Sequence, residues 1–240
     1  MIAHKFLSPG ALGLFSGFRW PRPRVGEPGG WVEVAGPLVA GSNGVHACVE
    51  SELVNWIDDE LWAIELAGEI VEREGVLVAR RGRLLHRFEG WDSASAGAFA
   101  TDCVRSTRAI AAEALRRDGR DREAEALEEL EDFDELQAAA LGPGRVGGFA
   151  ANALAFVADA VELARGGRPE HYGEHPGASV APTPGAIAAN LGFVVAHAAG
   201  CATAEAAGDP AAYDEGFDAE RNRQRAWLAQ AFSLPAGAQT

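Results

Sequence analysis

The stretch "ELWAIELAGEIVEREGVLVARRGRLLHRFEGWDSASAGAFATDCVRSTRAIAAEALRRDG", residues 60–119, contains the change that decides the fold. Along its first part the apolar residues alternate: Trp62, Ile64, Leu66 and Ile70 fall on one face of an extended chain, and Glu65 and Glu69 on the other. From Trp91 onward the spacing becomes helical, with Asp92 or Ser93 as the N-cap of an Ala-rich amphipathic run that ends near Gly119. A period of two giving way to a period of 3.6 predicts strands and then helices within one chain.

Working back from this stretch, "HKFLSPG", "GWVEVAGPLVAG" and "GVLVARRGRLLHRFEG" are short apolar runs of strand length between glycines and prolines. "VESELVNWIDDEL" places Leu53, Trp56 and Ile57 at helical spacing after Ser51, which predicts one short helix between strands. "RWPRPRVGEPGG", residues 19–30, is too rich in Pro and Gly for either element and reads as a loop with the character of a lid.

Working forward, 121–141 predicts a second and very acidic helix, and "GGFAANALAFVADAVELARGG" a third bracketed by glycines. "TPGAIAANLGFVVAHAAGCATAEAAG" predicts a fourth, with Thr183 as cap and Pro184 at the first helical position. "PAAYDEGFDAERNRQRAWLAQAF" predicts a fifth, seated by Phe217, Trp227, Leu228 and Phe232. The fold expected is therefore α+β: a small, mainly antiparallel β-sheet domain over 1–91, then an Ala-rich α-helical bundle domain over 92–240.

The 240 residues carry a formal charge of −14, unevenly divided. Residues 1–91 hold 9 Arg or Lys against 12 Asp or Glu, and residues 92–240 hold 12 against 23. Such a balance repels phosphate backbones and anionic bilayers, which argues against nucleic-acid and membrane-surface partners. Without a basic leader or an uninterrupted apolar run of spanning length, the chain reads as soluble and cytoplasmic. Cys48, Cys103 and Cys201 are odd in number and widely spaced, so reduced thiols are expected and no metal site is predicted. Lys5 is the only lysine among many arginines, a bias typical of a GC-rich bacterial genome.

The order "KFLSPGALGLFSGFRWP", "GWVEV", "SNGVHACVESELVNWIDDELWAIELAGEIVE" and "VLVARRGRLLHRFEGW" resembles a widespread group of actinobacterial proteins of unassigned function. Their common element is similar to the G-x-H-x-C turn at Gly44, His46 and Cys48, followed by a strand holding Trp62, Glu65 and Glu69. The closing "DAERNRQRAWLAQAFSL" is similar to the end of helical domains designated immunity proteins. The resemblance implies a fold and brings no catalytic residue with it.

Candidate chemistry falls into four groups. His46 and Cys48 share one face of an extended segment, where imidazole and thiol either pack, ligate or activate a nucleophile. Glu65 and Glu69 on one strand, with Arg80, Arg81 and Arg83 on the next, form either an acid/base pair with an anion clamp or a solvated face of cross-strand ion pairs. Asn190, His197 and Cys201 lie on one stripe of the fourth helix, and Asn152, Asp159 and Glu162 form a similar pattern on the third. If the two stripes face each other, they enclose a small-molecule pocket with a few polar groups in an apolar wall. His171 and His175, with Glu170 and Glu174, form a further loop cluster.

No dinucleotide, P-loop, zinc-protease or nucleophile-elbow motif occurs, so no cofactor is expected. The leading expectation is an acid/base enzyme acting on a largely apolar small molecule, by cyclisation, dehydration or isomerisation of the secondary-metabolite kind, polyketide spiroacetal formation being an analogy. His46, Glu65, Glu69, Asp159 and His197 are its candidate catalytic groups, with Trp20, Trp31, Trp62, Arg80, Asn152 and Asn190 as substrate contacts. The alternatives are an immunity or interaction module for a basic protein partner and an ADP-ribosyltransferase-like domain. A homodimer is left open.

Overall fold

The computed structural model describes residues 1–73, 75–142, 147–167 and 182–232. The His171 and His175 cluster lies outside them. The architecture is α+β, an antiparallel β part followed by helices. It forms two compact units: Met1–Ala96 with Pro184–Ala189 and the described part of Arg225–Thr240, and the described part of Gly97–Thr183 with Asn190–Gln224.

The first unit is built on β1 (Ile2–Leu7), β2 (Val32–Glu33), β3 (Val45–Cys48), β4 (Glu60–Arg73) and β5 (Val76–Arg87). β1 pairs with β3 and β4, and β5 also pairs with β3 and β4, so four antiparallel strands close into a ring. β2 adds to β5 through Val32↔Gly82 and Glu33↔Arg81. The core holds Leu7, Trp20, Trp62, Ile64, Leu77 and Leu84, together with Leu66 and Ile70. Gly68 and Glu69 stand opposite Arg80 alone, a bulge between the pairs Ala67↔Arg81 and Ile70↔Ala79. The extra residue bends the long β4–β5 hairpin around the ring.

Two expectations for this unit need correction. "GWVEVAGPLVAG" yields only the two-residue β2, because Gly36, Pro37 and Gly41 interrupt pairing; Arg80 reaches over to donate to the carbonyls of Val34 and Gly36 instead. The short helix at Glu50–Trp56 is a 3₁₀ helix entered through Val49, and Ser51 does not cap it. Loop 19–30 is tied at both ends: Trp20 N–H donates to Ala11 O at 2.9 Å, and Gly29 N–H to Leu84 O at 2.8 Å.

The helices are α1 (Ser93–Arg117), α2 (Asp121–Glu128), α3 (Phe133–Ala140), α4 (Gly148–Ala164), α5 (Pro184–Ala207) and α6 (Tyr213–Phe232). Asp92 caps α1 by accepting the N–H groups of Ala94 and Ser95, both at 2.9 Å. The single acidic helix expected over 121–141 is two, because Asp132 accepts from Asp134 N at 2.8 Å and Glu135 N at 3.0 Å and so starts a new one. The break is held by Arg108, which donates to Leu130 O and pairs with Glu131. At the start of α5, Gly185 N–H donates to Asp59 Oδ1 at 3.0 Å.

α5 is long and apolar enough, by length and composition, to cross a membrane, yet half of its most apolar window is buried inside the protein. Leu191, Val194 and Val195 are among its core residues. Within the second unit α5 and α6 approach closely. A Cβ on Gly200 would stand 2.6 Å from the Tyr213 ring, so only glycine leaves room for that ring.

Between α1 and α6 the packing is polar. Arg223 donates to both carboxylate oxygens of Glu220 at 2.8 Å each and also bonds Asp102. Gln224, fully buried, donates to Glu220 Oε1 and to Gly192 O, both at 2.9 Å, and accepts from Arg221 at 2.8 Å. Buried polar groups are tolerated where they find partners, as most of the atoms in this cluster do.

Candidate functional site

In the β unit the predicted residues are occupied with architecture. His46 Nε2 accepts from Gly41 N–H at 2.9 Å, which leaves Nδ1 protonated and donating to Gly44 O at 3.0 Å. Burial, aided by the nearby Lys5 charge, pushes its pKa below the ordinary imidazole range. The neutral ring thus clamps the 41–46 turn, where Gly44 at φ +147° packs against Val78 in space that a Cβ would fill. Cys48 is buried, bonded by its thiol to His4 O at 3.6 Å, and pushed up to about 12 by burial, so it remains a thiol.

Glu65 pairs with Arg83 at 2.7 Å and Glu69 with Arg80 at 2.8 Å, cross-strand ion pairs on the outer face. Trp31 lies under the guanidinium groups of Arg81 and Arg83, 4.1 and 4.6 Å from its ring centroid. Trp20 and Trp62 are in the core. None of these tryptophans meets Glu65 and Glu69 in a concave site among the described residues.

The carboxylate that organises this unit is Glu60, which sequence reasoning passed over. It is buried and accepts from Gly10 N, Ala11 N and the Trp62 indole at 3.0, 3.0 and 3.1 Å, with Arg22 and Arg87 at 3.6 and 3.7 Å. Ala11 has φ +57°, uncommon for a residue with a Cβ, and Glu60 holds it there.

The helical unit brings predicted residues together. Asn152 and Asp159 of α4 and Cys201 of α5 line one groove of about 750 Å³, with Phe149, Phe156, Glu205, Asp209 and Tyr213. His197 does not line the groove but stands behind two residues that do: Nδ1 is 2.7 Å from the Tyr213 hydroxyl and Nε2 3.8 Å from Cys201 Sγ. The imidazole meets Phe156 edge-on, with centroids 5.5 Å apart. Burial, with Cys201 and Asp214 adding to it, raises the Tyr213 phenol above its ordinary value, and burial likewise raises the Cys201 thiol. Both are therefore neutral hydrogen-bonding groups near pH 7. Asn190 is exposed and does not line the groove.

No family model, no curated protein and no solved structure matches this chain. Its chemistry must be read from the geometry.

Tyr213 was absent from the expected site because it lies on α6, 16 residues from His197. The one available signal was Gly200, a missing side chain on the stripe that carries His197 and Cys201. Among the described residues no group of three or more His, Cys, Asp or Glu is placed to hold a metal.

Proposed function

We propose that the helical unit binds a largely apolar small molecule in the α4–α5 groove and acts on it by acid/base chemistry that needs no cofactor. The observation that carries this reading is Tyr213, a wall residue hydrogen-bonded to His197 behind it, in a groove that also presents Asp159. Tyr213, neutral at pH 7, is suited to give its phenolic proton to the substrate, the resulting phenolate being stabilised by an N–H of His197 across the shared bond and taking the proton back from the substrate later in the turnover. Phe149 and Phe156 supply the apolar walls that orient a hydrophobic skeleton. Cyclisation, dehydration and isomerisation all need only this set: a shaped pocket, one acid and one base.

The test is ligand-observed NMR with a library of apolar fragments. Hits should be lost in Ala155→Trp, which fills the groove, and retained in Tyr213→Phe. Once a substrate is in hand, Tyr213→Phe should lower kcat about 10²-fold with little change in KM. Fragments that bind Ala155→Trp as well as wild type would sink the assignment.

The interaction-module reading ranks second. The exposed acids of α2, α3 and the turn between them favour a basic partner, but several are already answered within the unit: Glu123 by Arg120, Glu128 by Arg116, Glu131 by Arg105 and Asp134 by Arg165. An ADP-ribosyltransferase-like reading needs an available strand glutamate, whereas Glu65 is held by Arg83.

A further inference from the structure

The groove between α4 and α5 carries one sign of charge. Asp159, Glu205 and Asp209 line it, and none of its lining residues is Arg, Lys or His. Elsewhere in the helical unit arginines answer the acids, as Arg116 answers Glu128 and Arg165 answers Asp134. Among the described residues no cation pairs with Glu205 or Asp209. Asp209 spends one oxygen on the N–H of Ala211 at 2.9 Å, and Glu205 stands exposed at the rim.

Two features independent of these acids point the same way. Glu205 and Gly208 belong to the C-terminal end of α5, where the last carbonyls of a 24-residue helix concentrate partial negative charge. Such an end is favoured by Lys, Arg or His, yet the last turn of α5 has no basic residue. Phe149, Phe156 and Tyr213 line the same groove, and the face of an aromatic ring attracts a cation lying within about 6 Å of its centroid. Carboxylates, helix end and rings together make a field that repels an anionic ligand and that a neutral one leaves unanswered.

We propose that the ligand of this groove is an apolar amine in its protonated form, with the ammonium at the α5 end beside Glu205 and Asp209 and the hydrocarbon part against Phe149 and Phe156. The inference rests on the reading of the groove as a small-molecule site and narrows that reading from any apolar molecule to one bearing a positive charge. A primary ammonium has three N–H donors, enough to serve two carboxylates and a carbonyl of the last turn of α5. Among the described residues no three acids converge closely enough to hold a metal ion, which suits a charge carried on a larger skeleton better than a bare cation. The three rings supply the apolar contact that such a skeleton needs.

The probes are phenethylamine, phenethyl alcohol and phenylacetate, which share a skeleton and differ in charge. Their affinities for the full chain are measured by ligand-observed NMR titration at about pH 7 and about 0.15 M salt. The amine should bind about tenfold more tightly than the alcohol, the sum of an exposed ion pair and a cation–π contact, and phenylacetate should bind most weakly. Glu205→Gln should lower the affinity for the amine about threefold and leave that for the alcohol unchanged. Glu129→Gln removes an equally exposed charge at the end of α2, outside the groove, and should change neither. Equal binding of amine and alcohol would overturn the proposal and leave the groove reading intact. Equal losses in Glu205→Gln and Glu129→Gln would overturn it too, since the amine would then answer only the overall charge of −14. Binding of all three probes that persists in Ala155→Trp, or no binding by any, would bring down the groove reading and this inference with it.

Discussion

The two units use their polar side chains differently. In the strand unit the buried and turn-forming ones are directed at the main chain, the ion pairs Glu65–Arg83 and Glu69–Arg80 lying outside: Glu60 takes the N–H groups of Gly10 and Ala11, His46 joins Gly41 to Gly44, and Arg80 also gathers two carbonyls of the 34–36 loop. In the helical unit more of them are directed at one another, as in Tyr213–His197 and Arg223–Glu220–Gln224, though Arg108 and Gln224 also reach carbonyls. The reason is elementary. Short strands joined by long turns leave many backbone donors and acceptors without a ladder partner, and buried ones must be answered by side chains. Helices satisfy their interior backbone themselves, so their side chains are left to bind each other or a ligand. A histidine or glutamate in the loop-rich unit is thus more readily explained by architecture than the same residue on a helix.

Substitutions can break this contrast, starting where the effect is greatest. Glu60→Ala orphans two backbone N–H groups, an indole N–H and two arginines, and should cost about 3 kcal/mol or more. Tryptophan-monitored thermal melts should show a loss of roughly 6–12 °C. A change of a degree or two would mean the Gly10–Ala11 turn holds itself, and the account of the strand unit would fail.

Gly200→Ala comes next. The new methyl meets the Tyr213 ring, which can partly yield, so about 1–2 kcal/mol is expected together with displacement of the Tyr213 hydroxyl from His197. The imidazole resonances in an NMR titration would report that displacement. Unmoved resonances would separate the close helix approach from the site.

The smallest effect is a pH slope. Native Lys5 releases its proton above about 8 while the unfolded lysine keeps its own to about 10.4. The unfolded chain then binds more protons, so stability contributed through Lys5 rises with pH across that window, by at most about 1.4 kcal/mol per unit. Denaturant titrations of wild type minus Lys5→Met isolate this slope from the opposing one of Cys48, whose raised pKa loses stability at higher pH. A flat difference would place the amine in water.

Much of this was legible in local patterns. The change of period at Trp91 located the start of the helices, and the alternation of Trp62, Ile64 and Leu66 identified the core face of β4. The stripes of α4 and α5 announced the groove through Asn152, Asp159 and Cys201, since a polar group on an apolar helix needs somewhere to go. What was not legible depended on partners distant in sequence. Nothing local shows that Glu60 answers residues 10 and 11, that Tyr213 meets His197, or that four strands form a ring. The split of 121–141 is a different case: Asp132 was a visible cap, outweighed by an unbroken run of helix formers.

The ring has a consequence for how the chain is made. β1 is synthesised well before its partners, which are Cys48, 44 residues beyond His4, and the strand that reaches Glu65 opposite Ile2. At ribosomal speeds β1 waits roughly 3–12 s for them. β4 and β5, by contrast, are consecutive and form a hairpin as soon as both emerge. β1 is therefore held only after a long stretch of later chain has been made, and the ring as a whole closes only when β5 pairs with both β3 and β4.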